Sequence, residues 1–121
     1  MKEKLFDSEA KVMEIIWERG PLSAKEISLI AADSIGWNKN TTYTVIKKLI
    51  SKGAVKREEP KFICSSLINR EDVRKQETKS LLDKLFNGSK KALFSALIDD
   101  ENLTKEDIDE MKRMLEEKDK C

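Results

Sequence analysis

Histidine is absent from this 121-residue sequence, which removes the usual general base and the commonest metal ligand near neutral pH. Carboxylates and lysines remain, but they fall on helical faces, with no Gly-rich phosphate loop or nucleophile turn beside them. No catalytic residue is nominated, and the chain is not read as an enzyme. Cysteine is nearly absent too. Cys64 and Cys121 lie far apart, so they provide neither a disulfide framework nor the paired spacing of a zinc site, and a reducing compartment is expected. Neither a metal nor any other cofactor is expected. Aromatic residues make up 6% while charged residues reach 39%, a balance that suits thin helical layers with solvated faces better than a sandwich or barrel. No segment approaches the roughly 20 apolar residues that span a bilayer. The first residues, MKEKLFDSEAKVMEII, lack the unbroken apolar core of a signal peptide. The expectation is a cytoplasmic protein.

What is present is a succession of amphipathic helices with recognisable ends. Asp7 is expected to cap a first helix whose Val12, Met13, Ile16 and Trp17 share one stripe, and Gly20-Pro21 ends it. Ser23 with Glu26 forms a capping box for a second helix, whose Ile27, Ile30 and Ala31 turn inward. Asn38 caps a third, stopped by Gly53, with Val45, Ile46, Leu49 and Ile50 on its buried face. At 100° per residue the opposite side carries Asn40, Thr44, Lys47 and Ser51, flanked by Tyr43 and Lys48. Two β-capable runs, AVKRE and KFICSSL, then surround Glu59-Pro60 and read as a hairpin with Lys56, Arg57 and Lys61 near its tip. Three helices followed by a basic hairpin is the layout of a winged helix-turn-helix, which places its third helix in the major groove and its hairpin against phosphate.

From Asn69 onward only helices are expected. One runs from about Arg70 to Phe86, with Val73, Leu81, Leu82, Leu85 and Phe86 apolar, and Asn87-Gly88 stops it. Ser89 caps the next, which carries Leu93, Phe94, Leu97 and Ile98; Thr104 with Asp107 opens the last, with Ile108, Met111 and Leu115 spaced as one stripe. Three such short helices cover too little apolar surface to stand alone. The simplest partner is the same segment of a second copy, which would also set two reading heads at a fixed spacing. The expected fold is therefore mainly α with a small β-hairpin: a winged helix-turn-helix domain over 1–68 and a three-helix dimerisation region over 69–121.

Charge follows the same division. The 24 basic and 23 acidic residues nearly cancel overall, yet residues 38 to 59 carry 6 basic and 2 acidic side chains, whereas 99 to 121 carry 5 and 10. The local excess sits where DNA phosphate would lie, and the acidic tail is expected away from it. Lysines on one helix face can also be plain solvated surface, and the cap, the Gly53 stop and the basic hairpin are what favour nucleic acid here. Tyr43 is open to two readings, an aromatic packed beside its helix or a base or sugar contact. Trp37 is read as a hydrophobic anchor where the third helix starts, Trp17 as core, and Cys64 as a small buried apolar residue.

The segments SEAKVMEIIWERGPLSAKEI, WNKNTTYTVIKKLISKGAV, SSLINREDVRKQETKSLLDKLFNGS and LTKEDIDEMKRMLEE resemble the penicillinase repressors. That group includes the β-lactamase and methicillin-resistance repressors and, more distantly, copper-responsive ones. The resemblance covers nearly the whole chain. It implies a homodimeric winged-helix repressor of dyad operators ahead of resistance genes, with Asn40, Thr41, Tyr43, Thr44 and Lys47 facing the groove and Lys48, Lys56, Arg57 and Lys61 as phosphate contacts. Where the β-lactamase and methicillin repressors carry an arginine in the recognition helix, this sequence has Tyr43, so different operator bases are implied. Those repressors are released when a membrane β-lactam sensor triggers cutting at an Asn-Phe bond; the corresponding pair here is Ala96-Leu97. The paired C-terminal cysteines of copper-responsive members are missing, which argues against copper sensing. The competing reading, from another functional class, is a winged-helix protein-interaction module whose basic helix docks an acidic partner; a repressor of this fold answering a metal or redox signal is a further alternative.

Overall fold

In the computed structural model, residues 4–120 are described. The elements run α1 (Asp7–Arg19), β1 (Leu22–Ser23), α2 (Ala24–Ser34), α3 (Lys39–Ser51), β2 (Val55–Glu58), β3 (Ile63–Ser66), α4 (Arg70–Phe86), α5 (Lys90–Ile98) and α6 (Lys105–Asp119). The fold is mainly helical with a small antiparallel sheet, a winged helix followed by C-terminal helices, as the sequence pattern predicts. The chain divides into two compact units between Glu77 and Thr78, so the head carries the first turns of α4 beyond the point, 68/69, at which element type changes.

The head's core is built from the apolar stripes. Val12, Met13 and Ile16 of α1, Ala24, Ile27 and Ala31 of α2, and Val45, Ile46 and Leu49 of α3 are buried, with Ala54, Val55 and Cys64 closing the core from the sheet. Each of these helices offers a single apolar stripe, so three must meet to hide them. Two boundaries follow the sequence signals. Ser23 Oγ accepts from the Glu26 N–H at 3.1 Å while Glu26 Oε1 accepts from the Ser23 N–H at 3.1 Å, a complete capping box. Gly53 adopts φ +78, the left-handed stop that a residue with a Cβ resists.

The first helix differs from expectation. Asp7 is its first residue rather than its cap; Phe6 occupies the cap position, and the Phe6 N–H donates to Glu9 Oε1 at 2.8 Å. Glu9 is only 1% exposed, and its carboxylate also accepts from Lys52 Nζ at 2.6 Å. A buried carboxylate is tolerated only with such partners. The sheet also gains a strand: Leu22 and Ser23 pair antiparallel with Cys64 and Ile63, giving the order β1-β3-β2. Two residues carry no alternation to read, so pattern alone cannot reveal them.

Trp17 and Trp37 are half-buried against the core. The Trp17 indole N–H donates to Ser66 Oγ at 3.0 Å and to the Ile68 carbonyl at 3.2 Å. In the same region Arg70 donates to Glu14 and Glu18 of α1 at 2.7 and 3.0 Å. The beginning of α4 is thereby tied to α1 within the head.

The second unit is thin. None of the residues of α4, α5 or α6 is buried. Ser89 and Thr104 cap α5 and α6 as expected, each hydroxyl accepting a backbone N–H three residues on.

Candidate nucleic-acid interface

The third helix presents two chemically distinct sides. Asn38 Oδ1 accepts from the Thr41 N–H at 2.8 Å and starts it. Thr42, Val45, Ile46 and Leu49 point inward and are buried, while Asn40, Thr41, Thr44, Lys47, Lys48 and Ser51 are exposed on the other side. That outer side holds no acid, and neither does the first turn, where the unsatisfied N–H groups already favour negative charge. The Thr44 hydroxyl donates to the Asn40 carbonyl at 2.9 Å, leaving its oxygen able to accept. Asn40, Thr44 and Lys47 lie about one turn apart, a ridge whose amide, hydroxyl and ammonium groups match the donors and acceptors of base edges.

Tyr43 takes the packed position. It is half-buried, meets Phe62 edge-on at 5.9 Å between ring centres, and has Lys39 Nζ 5.5 Å from its ring centre. Phe62 precedes β3 in the hairpin, so Tyr43 joins the third helix to the wing. The wing carries Lys56, Arg57 and Lys61, all exposed. Two of these cations already have acids beside them: Lys56 Nζ lies 3.6 Å from Glu58, and the Arg57 guanidinium pairs with Glu59. For Lys56 and Glu58 the spacing explains this, because residues two apart on a strand share a face; Glu59 follows β2 directly, in the turn.

Sequence reasoning overlooked four participants. Glu59 and Phe62 shape the wing, and Glu9 and Lys52 anchor the end of α3. Lys52 Nζ turns back from the solvent, donating also to the Lys4 carbonyl at 3.0 Å and resting 4.4 Å from the Phe6 ring centre. Contacts 43 and 48 residues away in sequence account for that burial, and helix periodicity cannot signal them. Phe62 had a weak signal, an aromatic beside a turn in a sequence with few of them.

Cys64 is buried, and burial pushes its thiol up to about 11, opposed by the positive charge of Arg57. This is the behaviour of an inert apolar side chain. Among the described residues, no group of three His, Cys, Asp or Glu side chains converges as a metal site requires. Among the same residues, no helix is long and apolar enough to cross a membrane.

The proposed association residues fall in the second unit and α4. Leu81, Leu85, Phe94, Leu97, Ile98, Ile108 and Leu115 are exposed, and Leu82, Phe86, Leu93 and Met111 are half-buried. Met114, which the stripe reading omitted, is exposed as well. Phe94, Ile98, Leu103, Ile108, Met111 and Leu115 line an apolar cleft of about 470 Å³ between α5 and α6. Ala96 and Leu97 lie in the last turns of α5, both exposed.

Comparison with known proteins points in one direction. The family model of the penicillinase repressor matches residues 5–117. The penicillinase repressor of Bacillus licheniformis is 26% identical over 116 residues, covering 94% of this chain and 91% of that protein. The penicillinase repressor of Staphylococcus aureus is 31% identical over 110 residues, covering 89% and 87%. The solution structure of the DNA-binding domain of the repressor BlaI is similar with a TM-score of 0.54 at 26% identity, covering 60% of this chain and 93% of that one. The monomeric form of Bacillus licheniformis BlaI in complex with the blaP half-operator aligns with a TM-score of 0.52 at 26% identity, over 60% of this chain and 90% of that one. The chain belongs to the penicillinase repressor family, whose members are transcriptional repressors and not enzymes.

Proposed function

We propose that the protein is a cytoplasmic, homodimeric transcriptional repressor that binds dyad operator DNA upstream of β-lactam resistance genes. The observation that carries this reading is the outer side of α3: polar, basic, free of acid and exposed, on a helix whose other side is locked into the head. Asn40, Thr41, Tyr43, Thr44 and Lys47 face the groove, while Lys48, Lys56, Arg57 and Lys61 meet phosphate. With Tyr43 tied to Phe62, its contribution to recognition is through shape and the edge of its ring, and base readout falls on its polar neighbours.

Dimerisation rests on the C-terminal helices. Their apolar side chains are too exposed for a lone protomer in water, and a second copy of the same region is the self-complementary way to cover them. Release follows from cutting at Ala96-Leu97 after a membrane sensor responds, since a break there separates α6 and its Ile108, Met111 and Leu115 from α5. Because the bond lies within a helix, the final turns of α5 must open before a protease can accept it.

Footprinting on the DNA upstream of the protein's own gene tests the reading. The expected result is a protected dyad with half-sites at helical-turn spacing, together with a steep loss of affinity as salt rises. Equal affinity for promoter and random fragments would refute it. For release, incubation with activated sensor should produce a cut between Phe94 and Ile98; operator release with the chain intact would refute that step.

A further inference from the structure

The wing is held by a continuous set of ring and charge contacts. Lys39 lies against Tyr43, Tyr43 meets the edge of Phe62, and the Arg57 guanidinium carbon sits 3.6 Å from the centre of the Phe62 ring. The guanidinium is thus stacked on the ring face, well inside the distance at which cation–π attraction operates, while its Nε donates to Glu59 Oε1. Phe62 itself adopts φ +52, a left-handed conformation that a bulky residue takes only when its surroundings impose it. Its backbone contributes too, since the Phe62 carbonyl accepts the Ala24 N–H at 2.9 Å where α2 begins. One residue therefore fixes the wing to α2 through its main chain and to α3 and Arg57 through its ring.

We propose that Phe62 and Glu59 together set how the wing engages DNA: Phe62 is a positioning residue that fixes Arg57 relative to α3, and Glu59 is a competing counter-charge that a backbone phosphate must displace. This rests on the DNA-binding reading above and goes beyond it. Phosphate and carboxylate offer the guanidinium the same kind of charged oxygen acceptors, so binding at the wing is an exchange of one anion for another. Arg57 is 42% and Glu59 57% exposed, so the pair is weak enough to exchange readily. Random duplex gains little from that exchange. An operator whose bases have seated α3 holds the wing in place while the exchange occurs, so Glu59 restrains non-specific binding.

The test uses the full chain with a footprinted operator and a random duplex over a range of salt. Wild-type protein is measured first; failure to prefer its operator would refute the DNA-binding reading itself. Given that preference, Glu59→Gln is expected to tighten random duplex by about 1.5- to 5-fold per head, the range for an exposed ion pair. The operator should gain less, so the specificity ratio falls. The salt slope on random duplex should steepen by about one phosphate contact per head. Phe62→Leu should remove that Glu59→Gln effect, whereas Phe62→Tyr, which retains the ring face, should preserve it. A purely structural role for Phe62 would lower thermal stability without altering the salt slope. Unchanged affinity and slope in Glu59→Gln, with operator preference intact, overturn the proposal; this arm stands even if Phe62→Leu does not fold, because Glu59 is an exposed side chain.

Discussion

Replacing Lys52 by methionine would leave the Glu9 carboxylate buried without its cation. Methionine preserves most of the aliphatic stem, so packing changes little and the charge is the main loss. In the native head, Glu9 Oε1 takes the ammonium at 2.6 Å and the Phe6 N–H at 2.8 Å, while Oε2 is buried with no hydrogen-bond partner among the described residues. Losing one partner of a buried pair costs about 3–5 kcal/mol. Lys52 keeps 14% exposure, through which water can reach the site, so the lower end applies, about 3 kcal/mol. For a head of this size, a loss of that order lowers the melting temperature by roughly 12–24 °C. Both tryptophans lie in the head, so urea unfolding of the full chain followed by tryptophan fluorescence reports on that unit. A second substitution separates charge from shape. Glu9→Gln combined with Lys52→Met keeps an acceptor for the Phe6 N–H and removes the stranded charge, and should recover all but about 1 kcal/mol. The reasoning is refuted if Lys52→Met costs less than about 1 kcal/mol, or if the double variant is no more stable than Lys52→Met alone.

Other perturbations probe different parts of the molecule. Lys47→Ala or Thr44→Ala should weaken operator binding by roughly 1–3 kcal/mol while leaving random duplex less affected, and equal loss on both would make them phosphate contacts. Leu97→Asp alters a side chain that is 52% exposed in one protomer, so the chain should fold but sediment as a monomer and lose operator affinity; an intact dimer would move the association surface elsewhere. Cys64, raised to about 11 from the ordinary 9.0, favours the protonated thiol in the folded head. Its contribution is complete below pH 9 and is lost as pH rises through 11. Cys64→Ala should flatten the alkaline fall in stability over that interval, and wild-type Cys64 should resist thiol reagents at pH 8 until the head unfolds.

Local signals made most of the architecture legible. The Ser23, Asn38, Ser89 and Thr104 caps follow from short-range chemistry, in which a side chain bonds its own backbone within one turn, and α4 ends where Asn87 and Gly88 turn to positive φ. The same holds for the exposed side of α3, because periodicity alone separates Asn40, Thr44 and Lys47 from Val45, Ile46 and Leu49. What remained hidden depends on distant partners. Asp7 looked like a cap because its residue type favours that place, but Glu9, already committed to Lys52, supplies the acceptor. Lys52 reads as one more surface lysine until α1 is placed beside it. Arg57 and Lys56 read as free cations because a basic run in sequence does not show which acids fold back beside it, here Glu59 and Glu58.

The two residues of β1 serve at once as the outer rung of the sheet and as the start of α2, where the Ser23 side chain caps and the Phe62 carbonyl receives Ala24. Insertions between α1 and α2 would therefore disturb three elements together, whereas the exposed bend at Glu59-Pro60-Lys61 carries none of these obligations. An insertion is therefore expected to cost the head less stability just after Pro60 than beside Leu22 and Ser23.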